Sequence, residues 1–252
     1  MRSIVKNLTL SLMLLASIFS RTQNGFELGN AEYRKGNFDA AAKAYESVLA
    51  SKKESVELYY NLGNSYYKMN KVAPAIFNYE KALLLDPENH DVKTNLKFAQ
   101  KLQIDDVKEI PKVGFRKMME DYTSSMTVNG WAWLSVVSAF MILALFAGYY
   151  FSWSTLLKRI LFIGMGVFLL VLIVSLFAAY FEKVRISSNR PAIVFASISG
   201  VKSEPQNAAQ DAFVLHEGTK VQVLEQLDDW KKVELQDGNQ GWIRQADIRE
   251  LK

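Results

Sequence analysis

Histidine is the side chain best suited to acid–base work and metal ligation near neutral pH. This sequence has two, His90 and His216, and no cysteine. His90 follows the helix-stopping run Asp86, Pro87, Glu88, Asn89 and reads as the exposed first residue of a helix, while His216 precedes Glu217 and Gly218, a turn signal between strands. Neither has a partner at a spacing that would pair a base with a nucleophile or hold a metal. The metalloprotease His-Glu-x-x-His, the hydrolase Gly-x-Ser-x-Gly, the phosphate-cradling loop ending in Gly-Lys-Ser/Thr and the dinucleotide Gly-x-Gly-x-x-Gly are all missing. Gly164 and Gly166 lie inside an apolar run, where small residues favour helix contact. Without cysteine there is no disulfide, thiol chemistry or cysteine-type zinc site, and an oxidising compartment is permitted. The expectation is a protein without catalytic residues, metal or cofactor, and not an enzyme.

Other chemistry must then come from surfaces, and charge narrows these. The net charge is +4 over 252 residues, but it divides into +2 for residues 1–20, 0 for 21–110, +1 for 111–130, +2 for 131–181 and −1 for 182–252. No soluble part is basic, whereas a nucleic-acid binder concentrates lysine and arginine where it meets phosphate. Nucleic acid is not an expected partner.

Half of the residues are hydrophobic, and they are unevenly placed. Residues 131–151 and 160–181 are two apolar stretches, separated by a short segment holding Lys158 and Arg159. About twenty residues at 1.5 Å each match a hydrocarbon core of about 30 Å, so both read as transmembrane helices. Trp131 and Trp133 at one end, Tyr149, Tyr150 and Trp153 at the other, and Tyr180 and Phe181 at the exit of the second stretch suit the headgroup layer. The loop 152–159 is expected to be cytoplasmic by the positive-inside rule. Residues 1–20, with Arg2 and Lys6 ahead of an apolar run from Leu8 to Phe19 and small Ser20 after it, read as a secretory signal peptide. A buried first helix and an uncleaved anchor are the alternatives. Export would put both soluble parts in the periplasm, attached to the inner membrane. Lys112, Arg116, Lys117, Lys183, Arg185 and Arg190 would then sit outside, against the charge rule.

The segment 21–104 repeats itself with a period of 34. Gly29 recurs as Gly63, Leu28 as Leu62 and Leu96, Asn30 as Asn64, Tyr33 as Tyr67, Ala41 as Ala75, and Tyr45 as Tyr79. Val56 to Asn89 is the fuller copy and 22–55 a degenerate one, followed by a capping helix over 90–104. In physical terms Gly63 lets two helices approach, Ala75 gives a small contact at their crossing, Tyr79 fills the volume beside it, and Pro87 ends the second helix. The pattern resembles the tetratricopeptide repeat. That resemblance implies an all-α repeat stack whose inner groove is lined by Phe26, Asn30, Tyr33 and Arg34, by Tyr60, Asn64, Tyr67 and Lys68, and by Phe98 and Lys101. Such a face suits an extended peptide, with asparagines holding its backbone and Arg34 or Lys68 meeting a carboxylate. A solvated groove of common motif residues is the plainer reading. With so few repeats the stack is near the lower limit for a stable core, and is expected to lean on a partner or on the segment near the membrane.

Residues 105–130 read as a linker with Pro111 and Gly114, then an amphipathic stretch with Phe115, Met118, Met119 and Tyr122. This is either a short helix on the membrane surface or an extension of the repeat stack. From 190 to 252 the period changes to alternation, with turn signals at Glu217-Gly218, Asp228-Asp229 and Asp237-Gly238. Val221, Val223, Trp230, Val233, Leu235, Trp242 and Ile243 are expected on the inner face of a small all-β barrel, with both tryptophans in the core. This part resembles bacterial SH3-like domains, which implies binding of peptides or wall fragments, or contacts alone.

The order of parts, signal, repeats, transmembrane hairpin and SH3-like domain, resembles proteins of the BatE type from the Bacteroides aerotolerance (Bat) system. The resemblance implies a multidomain membrane protein that acts as a protein–protein interaction scaffold in aerotolerance, stress response or envelope assembly. By the same resemblance its partners would be Bat proteins with von Willebrand A domains and a MoxR-type ATPase. The alternative is an envelope sensor whose SH3-like domain binds peptidoglycan.

Overall fold

The computed structural model describes residues 25–107 and 113–252. The expected signal peptide lies outside the described residues. The chain forms two compact units, one built from the helical repeats together with the C-terminal sheet and the other from the two long apolar helices and a short helix before them.

In the first unit, residues 25–34 are helical and form α1. They are followed by α2 (Phe38–Ala50), α3 (Val56–Lys68), α4 (Val72–Leu85) and α5 (His90–Gln100). Ser55 and Asn89 cap α3 and α5 by accepting from the backbone N–H of Leu58 and Val92, each three residues on. The two helices of each repeat pack through the repeated glycine. A Cβ on Gly63 would lie 2.7 Å from the Tyr79 ring, so α3 and α4 cross there at a distance only glycine permits. Tyr45 and Tyr79, at matching places in the two repeats, are among the most deeply buried large side chains.

The sheet follows as β1 (Pro191–Val194), β2 (Ile198–Lys202), β3 (Asp211–His216), β4 (Lys220–Leu227), β5 (Trp230–Glu234), β6 (Gln240–Arg244) and β7 (Ile248–Glu250). All pairings are antiparallel, in the order β3-β2-β6-β5-β4-β1-β7. The expected closed barrel is not formed, because β3 and β7 are the two ends of an open sheet. β1 and Leu251 have a second partner in the helices. β1 is buried at all four positions, Ala192 and Val194 against the sheet core and Ile193 against the helices. After β7, the Leu251 backbone N–H still donates to the Pro191 carbonyl at 2.8 Å, while its side chain joins the helical core.

Ile193 and Leu251 share one core with Tyr59, Ala73, Ile76, Tyr79, Val92, Leu96 and Ala99 of α3, α4 and α5. The helix α5 therefore does not close the repeat stack by itself, as a simple cap would. The sheet covers the remaining apolar side of α4 and α5, and the stack leans on the C-terminal module. Phe77 meets Phe195 edge-on at 5.6 Å, and Lys220 pairs with the buried Glu80 at 2.7 Å. Gly218 has a φ of +90°, and a Cβ there would meet Val72 at 3.0 Å and Ile76 at 3.1 Å, so the β3–β4 turn is glycine both for its backbone and for its closeness to α4.

The second unit holds α6 (Phe115–Thr123), α7 (Val128–Phe151) and α8 (Thr155–Ser188). The helices α7 and α8 pack against each other and are long and apolar enough to cross a membrane. Most of their large side chains face outward, Phe140 and Phe162 among them. Their connection is shorter than the expected 152–159 loop. Only residues 152–154 are non-helical, because Ser154 caps α8 on Leu157 and draws Lys158 and Arg159 into its first turns. The α8 helix also continues past 181 to Ser188, where Arg185 holds Glu182 through two hydrogen bonds of 2.8 and 2.6 Å. Trp131 does not keep the wet nitrogen expected of it, since it is buried and its indole N–H donates to the Thr123 carbonyl at 2.9 Å. Trp133 is the exposed one.

Candidate functional site

Positions four and seven apart on a helix share a face. On α3 this aligns Tyr60, Asn64 and Tyr67, with Lys68 beside them, and α1 and α5 flank that face with Tyr33, Asn95 and Phe98. These seven residues line one pocket of about 290 Å³.

A hydrogen-bond pattern with the period of the repeat underlies the pocket. The Asn64 Oδ1 accepts from the Tyr79 hydroxyl and from Asn95 Nδ2, both at 2.7 Å. Thirty-four residues earlier, Asn30 Oδ1 accepts from Tyr45 at 2.7 Å and from Asn61 Nδ2 at 3.1 Å. Each asparagine thus ties the second helix of its own repeat to the first helix of the next. Asn95 also donates to the Tyr60 hydroxyl at 3.0 Å. The amide oxygens are engaged within the fold, and what Asn64 offers to the pocket is its Nδ2, which has no acceptor among the described residues.

Burial pushes the Tyr33 phenol above its ordinary range, with a smaller push from Tyr60. Burial likewise raises Tyr79, and it lifts Tyr45 to about 12. These phenols stay neutral at physiological pH and present O–H groups rather than charge. Cations frame the site. Arg34, Lys68 and Lys101 are exposed, and among the described residues no carboxylate lies within ion-pair distance of any of them. The Lys101 ammonium sits over the Phe98 ring, 5.3 Å from its centre. The arrangement can donate hydrogen bonds, stack against apolar side chains and attract a negative group.

Of the ten groove residues expected from the sequence, Tyr33, Tyr60, Asn64, Tyr67, Lys68 and Phe98 surround the pocket. The other four do not line it. Phe26 packs its ring 5.8 Å from that of Tyr45 within the repeat core, and Asn30 is held by Tyr45 and Asn61. Arg34 lies exposed on the last turn of α1, and Lys101 caps α5 beside Phe98. Asn95 is the residue the sequence reading left out. Its signal was the repeat itself, since Asn95 stands 34 positions after Asn61.

The two histidines separate as well. His90 is exposed at the start of α5. His216 is not merely a turn-side residue, because its ring Nδ1 lies 2.7 Å from Asp105 Oδ1 and its backbone N–H donates to Asp105 Oδ2 at 2.7 Å. The Thr219 hydroxyl donates to the same Oδ2 at 2.6 Å, so all three contacts converge on the carboxylate. Burial alone would raise the pKa of Asp105, but the bonds from the His216 backbone, the Thr219 hydroxyl and the His216 ring outweigh it and hold the group below its ordinary value. This is a clamp between the end of the repeats and the β3–β4 turn, in a stretch expected to be linker. No group of three or more metal-ligating side chains occurs among the described residues.

Three parts of the chain match family models. Residues 29–70 match a TPR repeat model and 56–89 the tetratricopeptide repeat, while 201–250 match the bacterial SH3 domain. No curated protein matches the chain. In the SH3-like part, Val221, Val223, Val233, Leu235 and Ile243 lie in the core cluster, but neither tryptophan does. Residues 242 and 243 are adjacent in β6 and must face opposite ways. Ile243 takes the inside, and Trp242 is half-buried on the outer face, where its register partners are Lys202 and Lys232. Trp230 shares that outer face and is buried beneath Arg244, whose guanidinium lies 4.7 Å from the ring centre.

Proposed function

We propose that this protein is a non-enzymatic, membrane-anchored scaffold that holds a partner protein through an extended segment in the repeat groove. The observation that carries this reading is the pocket bounded by Tyr60, Asn64, Tyr67, Lys68 and Asn95, in which, among the described residues, Lys68 has no ion-pair partner and the Asn64 Nδ2 has no acceptor. An acidic or carboxylate-ended peptide complements it, with its backbone carbonyls on Asn64 Nδ2 and its negative group near Lys68 or Lys101. The α7–α8 pair is the anchor. The core shared by Ile193, Leu251 and the repeats supports a hairpin topology, because two modules with a common core must be on one side of the bilayer. Under the exported topology that side is the periplasmic face of the inner membrane, in keeping with the bacterial SH3 match. The resemblance to Bat proteins extends the proposal to an aerotolerance or envelope-stress complex, with von Willebrand A domain proteins and a MoxR-type ATPase as partners.

A photo-crosslinking residue at Tyr67, in the full-length protein in cells, tests the groove against the same residue at the exposed Glu57. A discrete protein adduct from position 67 that is absent from 57 and lost on Lys68→Glu is the expected result. Equal adducts from both positions, or none from either, would remove the groove from the mechanism.

A second reading has its own observation, the half-buried Trp242 between two lysines on a domain that matches bacterial SH3 models. As an envelope sensor the full-length protein would co-sediment with isolated peptidoglycan, and Trp242→Ala would abolish this. Sedimentation unchanged by that substitution counts against the sensor.

A further inference from the structure

The circumference of α6 divides into three arcs. Met119, Glu120 and Thr123 face the rest of their unit: Thr123 is buried and receives the Trp131 indole N–H, and Glu120 acts electrostatically on Arg185 of α8. Lys117 and Asp121, one turn apart, form an exposed ion pair on a second arc. Phe115, Met118 and Tyr122, at the i, i+3 and i+7 spacing of one helical face, form the third arc and are 72%, 59% and 46% exposed. Tyr122 also packs against Trp131, the ring centres 5.3 Å apart and the planes tilted by 43°.

An apolar arc on a fixed helix is costly in water, and its position names its solvent. The Trp131 side chain that clamps α6 belongs to the first turn of α7, so the arc lies beside the end of a helix whose outward surface is apolar, Trp133 and Phe140 included. We propose that α6 lies in the headgroup layer of the bilayer, with Phe115, Met118 and Tyr122 reaching the acyl boundary and the Lys117–Asp121 pair turned to water. The proposal rests on the reading of α7 and α8 as membrane spans. Its occupant is lipid, rather than a peptide or a second copy of the chain, because an arc flanked on one side by the hairpin and on the other by a charged pair has the geometry of an interfacial helix. The role is to fix the height and tilt at which the chain enters the hairpin.

The 252-residue sequence has no cysteine, so single cysteines can be placed at Met118, Asp121, Phe140 and Ser51, labelled with an environment-sensitive fluorophore, and the protein reconstituted in phosphatidylcholine vesicles. Lipids carrying a quencher near the headgroup or deep in the acyl chain then read depth. The expected result is quenching at 118 by the shallow quencher at least about twofold stronger than by the deep one, as for a face about 5–10 Å below the surface. Position 140 should follow the deep quencher, and 121 and 51 neither. If 140 is quenched and 118 is not, or if 118 and 121 are quenched alike, the α6 proposal is wrong while the spans stand. If neither 118 nor 140 is quenched, the membrane reading itself fails, and the α6 proposal with it.

Discussion

Ile193 is in β1, yet its side chain is wholly buried in a cluster otherwise made chiefly of repeat residues. Ile193→Ala therefore tests whether the helices and the sheet are one cooperative body. Removing three carbons forfeits about 2.4 kcal/mol at 0.8 kcal/mol per buried methylene. The cavity left against Ile76 and Tyr79 raises the loss, and large-to-alanine core substitutions cost about 2–5 kcal/mol. A middle value of about 3 kcal/mol corresponds to about a hundredfold fall in the protection of amides that exchange by opening of the whole unit. The assay is hydrogen exchange by mass spectrometry on the full-length protein in detergent, read over peptides from α4 and α5. Those helices should lose about two orders of magnitude of protection although the substitution is more than ninety positions away in sequence. If exchange accelerates in the strands while α4 and α5 keep their wild-type protection, the shared core is not energetically shared. The two modules would then have no shared core to hold them in one compartment.

The Asp105 clamp should show in pH dependence. Its carboxyl is below the ordinary 3.8 when folded, so its stabilisation is complete above the unfolded pKa and disappears as pH falls through the lower, folded value. Asp105→Asn should cost about 2–3 kcal/mol at pH 6, from the weakening of charge-assisted bonds, and the gap in melting temperature to wild type should narrow as pH falls below about 4; a gap independent of pH would show that the charge is irrelevant. Gly63→Ala should destabilise by about 1–2 kcal/mol, because crowding against the immobile Tyr79 ring at 2.7 Å exceeds the gain in helix propensity. Thermal denaturation measures it, and a raised melting temperature would mean that α3 and α4 separate freely. Replacing residues 108–189 by a flexible linker of about 15 residues should give a soluble monomer that keeps the helical and strand circular dichroism of the first unit, since Val107 and Arg190 both attach to the sheet. An aggregated product would contradict the independence of that unit.

The repeats were legible because their period of 34 is written in residues with fixed tasks: Gly63 for approach, Tyr79 for volume, Asn64 for the tie to the next repeat. Six of the ten residues that the tetratricopeptide resemblance places in the groove line the pocket, while Phe26 and Asn30 do not, because a position on the inner side of a helix can still turn its atoms into the core. The docking of sheet on helices was harder to see, since no local pattern states which distant surface a strand will meet. Yet a trace of it was present. Pro191 to Phe195 is an unbroken apolar run inside a domain of alternating strands, which is what a strand buried on both faces requires. Reading that run as ordinary alternation predicted a closed, free-standing barrel, when β1 was already marked as having a second partner. Trp242 carries the complementary lesson: its size suggested core, but a strand allows only one of two adjacent residues inside, and Ile243 has the place. Asp105 left no such trace, because a carboxylate in a polar stretch looks solvated until the chain folds back and brings His216 and Thr219 to it from 111 and 114 positions away. The features that join the two modules into one body are thus the ones with the longest sequence separation, and they decide that the groove and the SH3-like face are presented together to whatever the scaffold assembles.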